Sequence, residues 1–160
     1  MRRNLGHEAA LAFGEAAVAP PMSLRGGNAV DGYSAAPPFD DLLDDPTDAY
    51  LESHYWGLAH LDPVSWRHYI PRLIEYALKH KGNHRTMVVD AFLASLRPPD
   101  REPPRFADLS AEQENVLVAL LDILAFDDDS VWSKEAALAL EEYWAPGALY
   151  RSDAGSKPEG

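Results

Sequence analysis

The six histidines are the side chains best suited to metal binding, and their spacing argues against a shared site. His80 and His84 lie four positions apart, but Gly82 falls between them and interrupts the helix that a paired site would need. No carboxylate is placed to complete a zinc site of the HExxH type. Three more histidines lie on or between the first two predicted helices: His54, His60 and His68. Only tertiary structure could bring these three together, so we expect neither a metal ion nor another cofactor.

Paired carboxylates are the other candidates for chemistry, because general acid–base catalysis often uses two of them. They occur at Asp40-Asp41, Asp44-Asp45 and Glu141-Glu142. Catalysis would need one member of a pair to be removed from water in a cleft, and all three pairs lie in polar stretches. The aspartates at 127–129 are similar to the start of a calcium loop, but the required glycine is missing and Leu138 replaces the closing glutamate. Without cysteine or a common nucleophile or phosphate-binding motif, the chain is expected not to be an enzyme.

Aromatic residues crowd positions 50–76, and most of them are expected in the core. Tyr55 and Trp56 are neighbours, and neighbouring side chains on a helix diverge by about 100°. They cannot both point inward, so one of them is expected at the surface. An exposed tyrosine or tryptophan beside acidic residues is typical of an interface anchor.

Charge is distributed unevenly along the chain, whose net charge is −12. Residues 39–62 carry seven acidic residues and no lysine or arginine, whereas residues 63–105 carry a net charge of +4. The next two stretches, 106–126 and 127–142, carry −4 and −5. A total this negative argues against direct binding of nucleic acid, because lysine and arginine drive phosphate binding. Ordinary solvated faces fit this pattern, and so does an acidic surface that docks a protein partner with a basic surface.

The second interpretation defines a candidate binding surface. The predicted partner-binding residues are Asp40, Asp41, Asp44, Asp45, Asp48, Glu52, Trp56, Asp127, Asp128 and Asp129.

The elements that must position these residues are predicted to be helices only, since no period-two alternation is long enough for a sheet. We expect an all-α domain over residues 39–150, with five or six helices packed around a buried helix at about 110–126. Residues 1–38 are predicted to be a flexible segment, with an Ala-rich helix over 7–18 as an option and Met22 as an alternative start. Residues 151–160 are predicted to be a disordered tail.

Capping residues predict where the helices begin. Asp45 before Pro46 and Asp62 before Pro63 are expected to start the first two helices of the domain. Pro71 is expected to kink or break the second of these.

The later helices follow the same signals. A third helix is expected over residues 85–96, and Ser110 with Gln113 forms a capping box at the start of the buried helix. Either Ser130 or Ser133 is expected to cap the last helix, which should end near Trp144.

The order of these motifs resembles a family of small bacterial all-helical proteins of unknown function, and the resemblance covers roughly residues 39–126. The family shows a tryptophan, then a proline-alanine-phenylalanine-leucine segment, then a leucine-serine and glutamate-glutamine helix start. The matching residues are Trp66, Ala91-Phe92-Leu93, Leu96, Leu109-Ser110, Glu112-Gln113, Val116 and Leu120. Asp90 stands where the family usually has proline. The resemblance implies a helical fold and a bacterial origin, and some small acidic proteins of this sort are similar to immunity proteins encoded beside secreted toxins.

Together these observations predict a non-enzymatic acidic binding protein, specifically an immunity protein that neutralises a bacterial toxin by direct binding. The alternative is an interaction, adaptor or secretion-chaperone module in another bacterial assembly. Glu8 and Glu15 interrupt any apolar signal-peptide core, and no apolar run approaches the roughly 18–20 residues of a membrane span. We therefore expect a cytoplasmic protein without a membrane partner.

Overall fold

The computed structural model describes residues 4–14 and 19–151, which form helices and loops without a strand. The α-helices are α1 Leu5–Phe13, α2 Leu24–Asp31, α3 Asp48–His54, α4 Pro63–Lys79, α5 Met87–Ser95, α6 Ala111–Phe126 and α7 Ser133–Ala139. A 3-10 helix, Tyr55–His60, follows α3, and a π-helical turn, Leu140–Trp144, follows α7. The all-α prediction is confirmed. No helix in the described part of the chain is long and apolar enough to cross a membrane.

Two of the predicted helix starts are confirmed in detail. The Asp62 carboxylate accepts the backbone N–H of Ser65 at 3.1 Å, and Pro63 occupies the first turn of α4. The Ser110 hydroxyl accepts the Gln113 N–H, while the Gln113 side chain accepts the Ser110 N–H, which completes the capping box of α6. These contacts satisfy backbone donors that a helix leaves free at its first turn.

The core lies mainly around α4 and α6. Nine residues of α4 are buried, among them Trp66, Tyr69 and Tyr76. Six residues of α6 are buried, and this helix packs against α1, α4 and α7. Although α6 is apolar on nearly every face, it reaches the surface at its end, where Phe126 is 73% exposed. The centre of the fold is therefore shared between two helices rather than formed by α6 alone.

Pro71 does not break α4, so the expectation of a short break at this position is wrong: the helix is continuous from Pro63 to Lys79. The proline lacks the N–H that would bond the Arg67 carbonyl. Ile70 and Ile74 on either side of it are fully buried. Packing of this apolar face keeps the residues around Pro71 helical despite the lost hydrogen bond.

The segment at 1–38, predicted to be flexible, contains two helices that pack on the rest of the fold, α1 and α2. Leu5, Ala9 and Phe13 recur every four residues along α1 and bury one face of it against α4 and α6. The Gln113 side chain also donates to the Ala12 carbonyl at 3.0 Å. Residues 1–3 and 15–18 lie outside the described part, as does the predicted tail apart from Arg151.

Glycines hold α2 against the 3-10 helix. Gly26 and Gly27 lie inside α2 rather than between elements. A Cβ added to Gly27 would overlap the backbone of Gly57, and one added to Gly57 would overlap the backbone of Leu24. Only glycine permits the two backbones to approach this closely.

Three other helix starts differ from the predicted ones. Thr47, not Asp45, caps α3 by accepting the N–H of Tyr50. Thr86 caps α5. Helix α7 has no side-chain cap, because the Ser130 hydroxyl donates to Leu124 and accepts from Trp132 instead. Each difference is one to three residues, which is close to the uncertainty of helix boundaries when several nearby residues can act as the cap.

Leu120→Asp is expected to unfold the domain, because Leu120 is fully buried and an unpaired carboxylate there costs several kcal/mol of a total stability of about 5–15 kcal/mol. Circular dichroism and thermal unfolding measure the effect. Phe126→Asp on the same helix is the matched control and should change the free energy of unfolding by less than about 1 kcal/mol. Native helicity in Leu120→Asp would contradict this account of the core.

Tyr33→Gly is expected to raise the free energy of unfolding by about 0.5–1 kcal/mol. Tyr33 follows α2 with a φ of 67°, a left-handed conformation that glycine adopts without steric cost, and its side chain is fully exposed. Denaturant unfolding should detect the gain, and Tyr33→Ala, which keeps the Cβ, should not show it. Equal stability of the two variants would mean that the backbone here is not strained.

Candidate docking surface

Asp44 is buried, so the prediction that it contacts a partner is wrong. Its carboxylate accepts two hydrogen bonds from the Arg25 guanidinium, both at 3.0 Å. It also accepts the Tyr50 hydroxyl at 2.7 Å and the backbone N–H of Asp40 at 2.8 Å. A buried carboxylate needs a cation and further donors, and Asp44 has both.

The electrostatics of this cluster keep Asp44 ionised. Burial alone would raise the pKa of Asp44, but the bonds from Arg25, Tyr50 and Asp40 outweigh it and lower the pKa below its ordinary value of 3.8. The same contact raises the pKa of Arg25. Burial and the adjacent Tyr69 raise the pKa of Tyr50, so its phenol stays protonated and donates.

Asp44 and Asp40 together fix the conformation of residues 40–45, which we call the acidic turn. The Asp40 carboxylate accepts the backbone N–H groups of Leu42 and Leu43, each at 2.9 Å. The Asp40 carbonyl accepts the N–H of Asp44 at 2.8 Å. The turn is thus closed by its own hydrogen bonds and tied to α2 and α3 through the buried carboxylate.

The acidic turn presents two leucines to solvent. Leu42 is 88% exposed and Leu43 is 62% exposed. The side chains of Asp40, Asp41 and Asp45 are exposed around them, and the charge of Asp44 is matched by Arg25. The surface is therefore an apolar pair within a net charge of −3. Sequence analysis named the acids but missed the leucines, although an apolar pair between two acidic pairs in a stretch without cations was a visible signal.

Asp48 and Glu52 attach α3 to α4 and are only partly available to a partner. Asp48 forms ion pairs with Lys79 and Arg72, which lower the pKa of Asp48. Glu52 accepts the Tyr76 hydroxyl at 2.7 Å. Their contacts within the fold explain their positions without a partner.

Trp56 is 51% exposed, in agreement with the expectation that one of the two aromatic neighbours reaches the surface. Its ring stacks on Tyr55 with the centroids 4.0 Å apart. It borders a cavity of about 590 Å³ together with Met87, which is 49% exposed. Trp56 is thus an exposed apolar residue on a face of its own, beside α5.

The aspartates at 127–129 are exposed but partly neutralised. The Lys81 ammonium pairs with Asp127 and Asp129, and these bonds raise the pKa of Lys81. The Val131 N–H donates to the Lys81 carbonyl at 2.9 Å and holds the two loops together. One cation for three carboxylates leaves a net charge of −2. The negative electrostatic potential of this loop is therefore weaker than that of three unpaired aspartates.

The histidines do not converge on a metal site in the described part of the chain, where no three potential ligands lie together. His60 contacts the Asp31 carboxylate at 3.0 Å. Burial lowers the pKa of His54 and that of His68, so both rings are neutral at pH 7. Neutral imidazoles do not offset the negative surface.

Sequence analysis also missed a buried cation. Arg105 is 3% exposed and donates to the carbonyls of Leu58 and Leu61 at 2.8 and 2.7 Å. Burial lowers the pKa of Arg105 to about 10, so it remains charged. Asp100 accepts N–H groups from four residues of the loop that contains Arg105, which folds this proline-rich segment against the 3-10 helix. Both side chains are structural and add nothing to the docking surface.

Comparison with known proteins identifies a family to which no function is assigned. A family model described as a family of unknown function, DUF6714, matches residues 1–148. The match includes α1 and α2 and agrees with the resemblance seen in the motifs. No curated protein and no solved structure matches the chain.

Asp44→Asn is expected to lower the free energy of unfolding by about 3 kcal/mol at pH 7, because it leaves Arg25 unpaired and turns an amide donor towards other donors. The folded pKa of Asp44 is lowered, so its contribution is complete above the ordinary value of 3.8 and is lost as the pH falls through the folded pKa. The stability gap between wild type and variant should be constant from pH 7 to about 5 and shrink below pH 3.8. Urea titrations across this range measure it, with Asp41→Asn as the exposed control. A gap that did not change with pH would contradict an ionised Asp44.

Proposed function

The chain belongs to the family of unknown function DUF6714, and we propose that it is a non-enzymatic immunity protein that neutralises a bacterial toxin by direct binding and occlusion. The observation that carries the proposal is the acidic turn, in which Leu42 and Leu43 are exposed among three carboxylates. Rigid apolar residues with a charged rim are the usual composition of a protein-binding site.

Both components of the turn suit binding. Each leucine would contribute about 1.5–3 kcal/mol if a partner buried it fully. The carboxylates, within a net charge of −12, would attract a basic partner over a distance of about 10 Å at moderate salt. Charge would thus accelerate association, and the leucines would slow dissociation.

A basic toxin is the partner that this surface fits best. Toxins that cleave nucleic acid bind phosphate through lysine and arginine, and their clefts are therefore positively charged. An acidic protein that covers such a cleft would block the substrate without any chemistry of its own. The protein would act in the cytoplasm, where such a toxin meets its substrate.

The acids at 127–129 and the Trp56 face are secondary contacts in this proposal. Lys81 offsets part of the charge at 127–129. Trp56 borders a separate cavity beside α5. Either region could widen the interface, but neither combines rigidity, apolar exposure and uncompensated charge as the acidic turn does.

An adaptor or secretion chaperone would use the same surface on a partner that is not toxic. Co-expression separates the two functions: each gene flanking this one in its host is expressed in a test bacterium with and without the protein. If the proposal holds, one flanking product arrests growth and the protein restores it. If no flanking product is toxic, or if toxicity persists although the protein is present, the immunity function is overturned and the adaptor function takes its place.

Reversal of two charges in the acidic turn, Asp41→Lys with Asp45→Lys, is expected to slow association with the basic partner about 10-fold or more at low salt. Within residues 4–14 and 19–151 neither side chain forms a hydrogen bond or an ion pair, so thermal unfolding should be unchanged. Surface plasmon resonance at several salt concentrations measures the rate, and the difference should disappear near 1 M salt.

The matched control carries the same change in net charge elsewhere, with Glu102→Lys and Asp122→Lys at exposed positions. It should retain most of the wild-type association rate. Equal slowing in both variants would mean that overall charge, not the acidic turn, guides association.

A further inference from the structure

We propose that the acidic turn inserts Leu42 and Leu43 into a concave apolar pocket on the partner, and that lysine or arginine side chains line the rim of this pocket. The inference rests on the proposed function only for the existence of a basic protein partner. It does not require that the partner be a toxin.

The first step is the order of the turn before binding. Asp40 accepts two backbone N–H groups and Asp44 accepts a third, so the peptide units between them are fixed. Asp44 is itself held by Arg25 and Tyr50 from two helices. An element that is already ordered loses little conformational entropy on docking, which favours its use as an anchor.

The second step is the shape that the leucines demand. At 88% and 62% exposure, Leu42 and Leu43 project from the turn rather than lying along a flat surface. A flat partner would leave much of each side chain in water. Only a pocket that surrounds the side chains removes enough apolar area to make them hot spots.

The third step is the charge of the pocket rim. Docking brings Asp40, Asp41 and Asp45 to the edge of the contact and removes water from them. A carboxylate that loses water without gaining a cation or donor is costly. The rim of the pocket must therefore supply lysine or arginine.

The negative charge of the acidic turn also excludes a second copy of the chain and an anionic lipid surface as its binding partner. A second copy of this chain would bring three carboxylates against three carboxylates, and the whole protein repels itself at a net charge of −12. An anionic lipid surface would repel the turn in the same way. A cationic protein pocket is the occupant that satisfies both the apolar and the charged groups.

Exposed leucine alone does not make such a site, and the chain offers a matched comparison. Leu149 is 74% exposed, and its backbone N–H is bonded to the Glu141 carbonyl at 2.9 Å. Its bonding partner Glu141 is followed by Glu142, which pairs with Arg97, so this region holds fewer uncompensated carboxylates than the acidic turn. Leu149 is therefore the control for both experiments below.

The first experiment places a photo-reactive p-benzoylphenylalanine at Leu42 or at Leu149 in the full chain, produced in its native host. After irradiation, mass spectrometry identifies the peptide attached at each position. The expected adduct at Leu42 is a protein segment of apolar residues flanked by lysine or arginine. An adduct with a second copy, a lipid or an acidic segment overturns the inference, as does an adduct yield no higher than at Leu149.

The second experiment uses the partner protein identified by cross-linking, in purified form, as the probe. It measures the dissociation constant of the complex between this probe and the Leu42→Ser, Leu43→Ser double variant. Thermal unfolding should be unchanged because both residues are exposed. The dissociation constant should rise by about 30-fold or more for each leucine if they are hot spots. Leu149→Ser should bind as wild type does, and a double variant with wild-type affinity overturns the inference.

The outcomes separate this inference from the immunity function. Loss of binding to a partner that is not toxic supports the inference and contradicts immunity. If the double variant restores growth of toxin-expressing bacteria as fully as wild type does, the result supports immunity and contradicts the inference.

Discussion

A carboxylate that is removed from water requires a cation and several donors, and Asp44 meets this requirement by contacts with three parts of the chain. Arg25 comes from α2, Tyr50 from α3, and the Asp40 N–H from the turn itself. Tyr69 of α4 adds a hydroxyl that accepts the Leu24 N–H beside them. Because removing any one of these partners leaves an uncompensated polar group, the positions of α2, α3 and the acidic turn depend on one another.

Other polar contacts also connect elements of the fold, at places where the helices are too short to be stable by themselves. Arg105 donates to the carbonyls of Leu58 in the 3-10 helix and of Leu61 just after it, and Asp100 accepts amide groups of the loop before α6. Gln113 joins α6 to α1, and Arg151 joins the end of the described chain to Glu114. Short helices are only marginally stable in isolation. These polar contacts and the shared core of α4 and α6 therefore supply stability that helix propensity alone does not.

Local signals predicted much of the fold and little of the surface. The starts at Asp62 and Ser110 were predictable because capping acts over three residues. The burial of Asp44 was not, since its cation lies 19 residues away in a segment that lacks a sustained apolar pattern. Continuity through Pro71 likewise depends on tertiary packing. The exposure of Leu42 follows from hydrogen bonds within the acidic turn, and its one signal in the sequence is an apolar pair between two acidic pairs.

The link between Arg25 and Asp44 also couples α2 to the acidic turn. When α2 opens locally, the Asp44 carboxylate loses its cation and the acidic turn loses this contact, so we expect the two segments to open together. A bound partner that holds the turn in place would consequently slow amide hydrogen exchange in α2, to which the turn is bonded. A cut between the two residues would leave only this ion pair and its neighbouring hydrogen bonds to hold the turn on α2, so the position of the turn depends on an unbroken chain from residue 25 to residue 44.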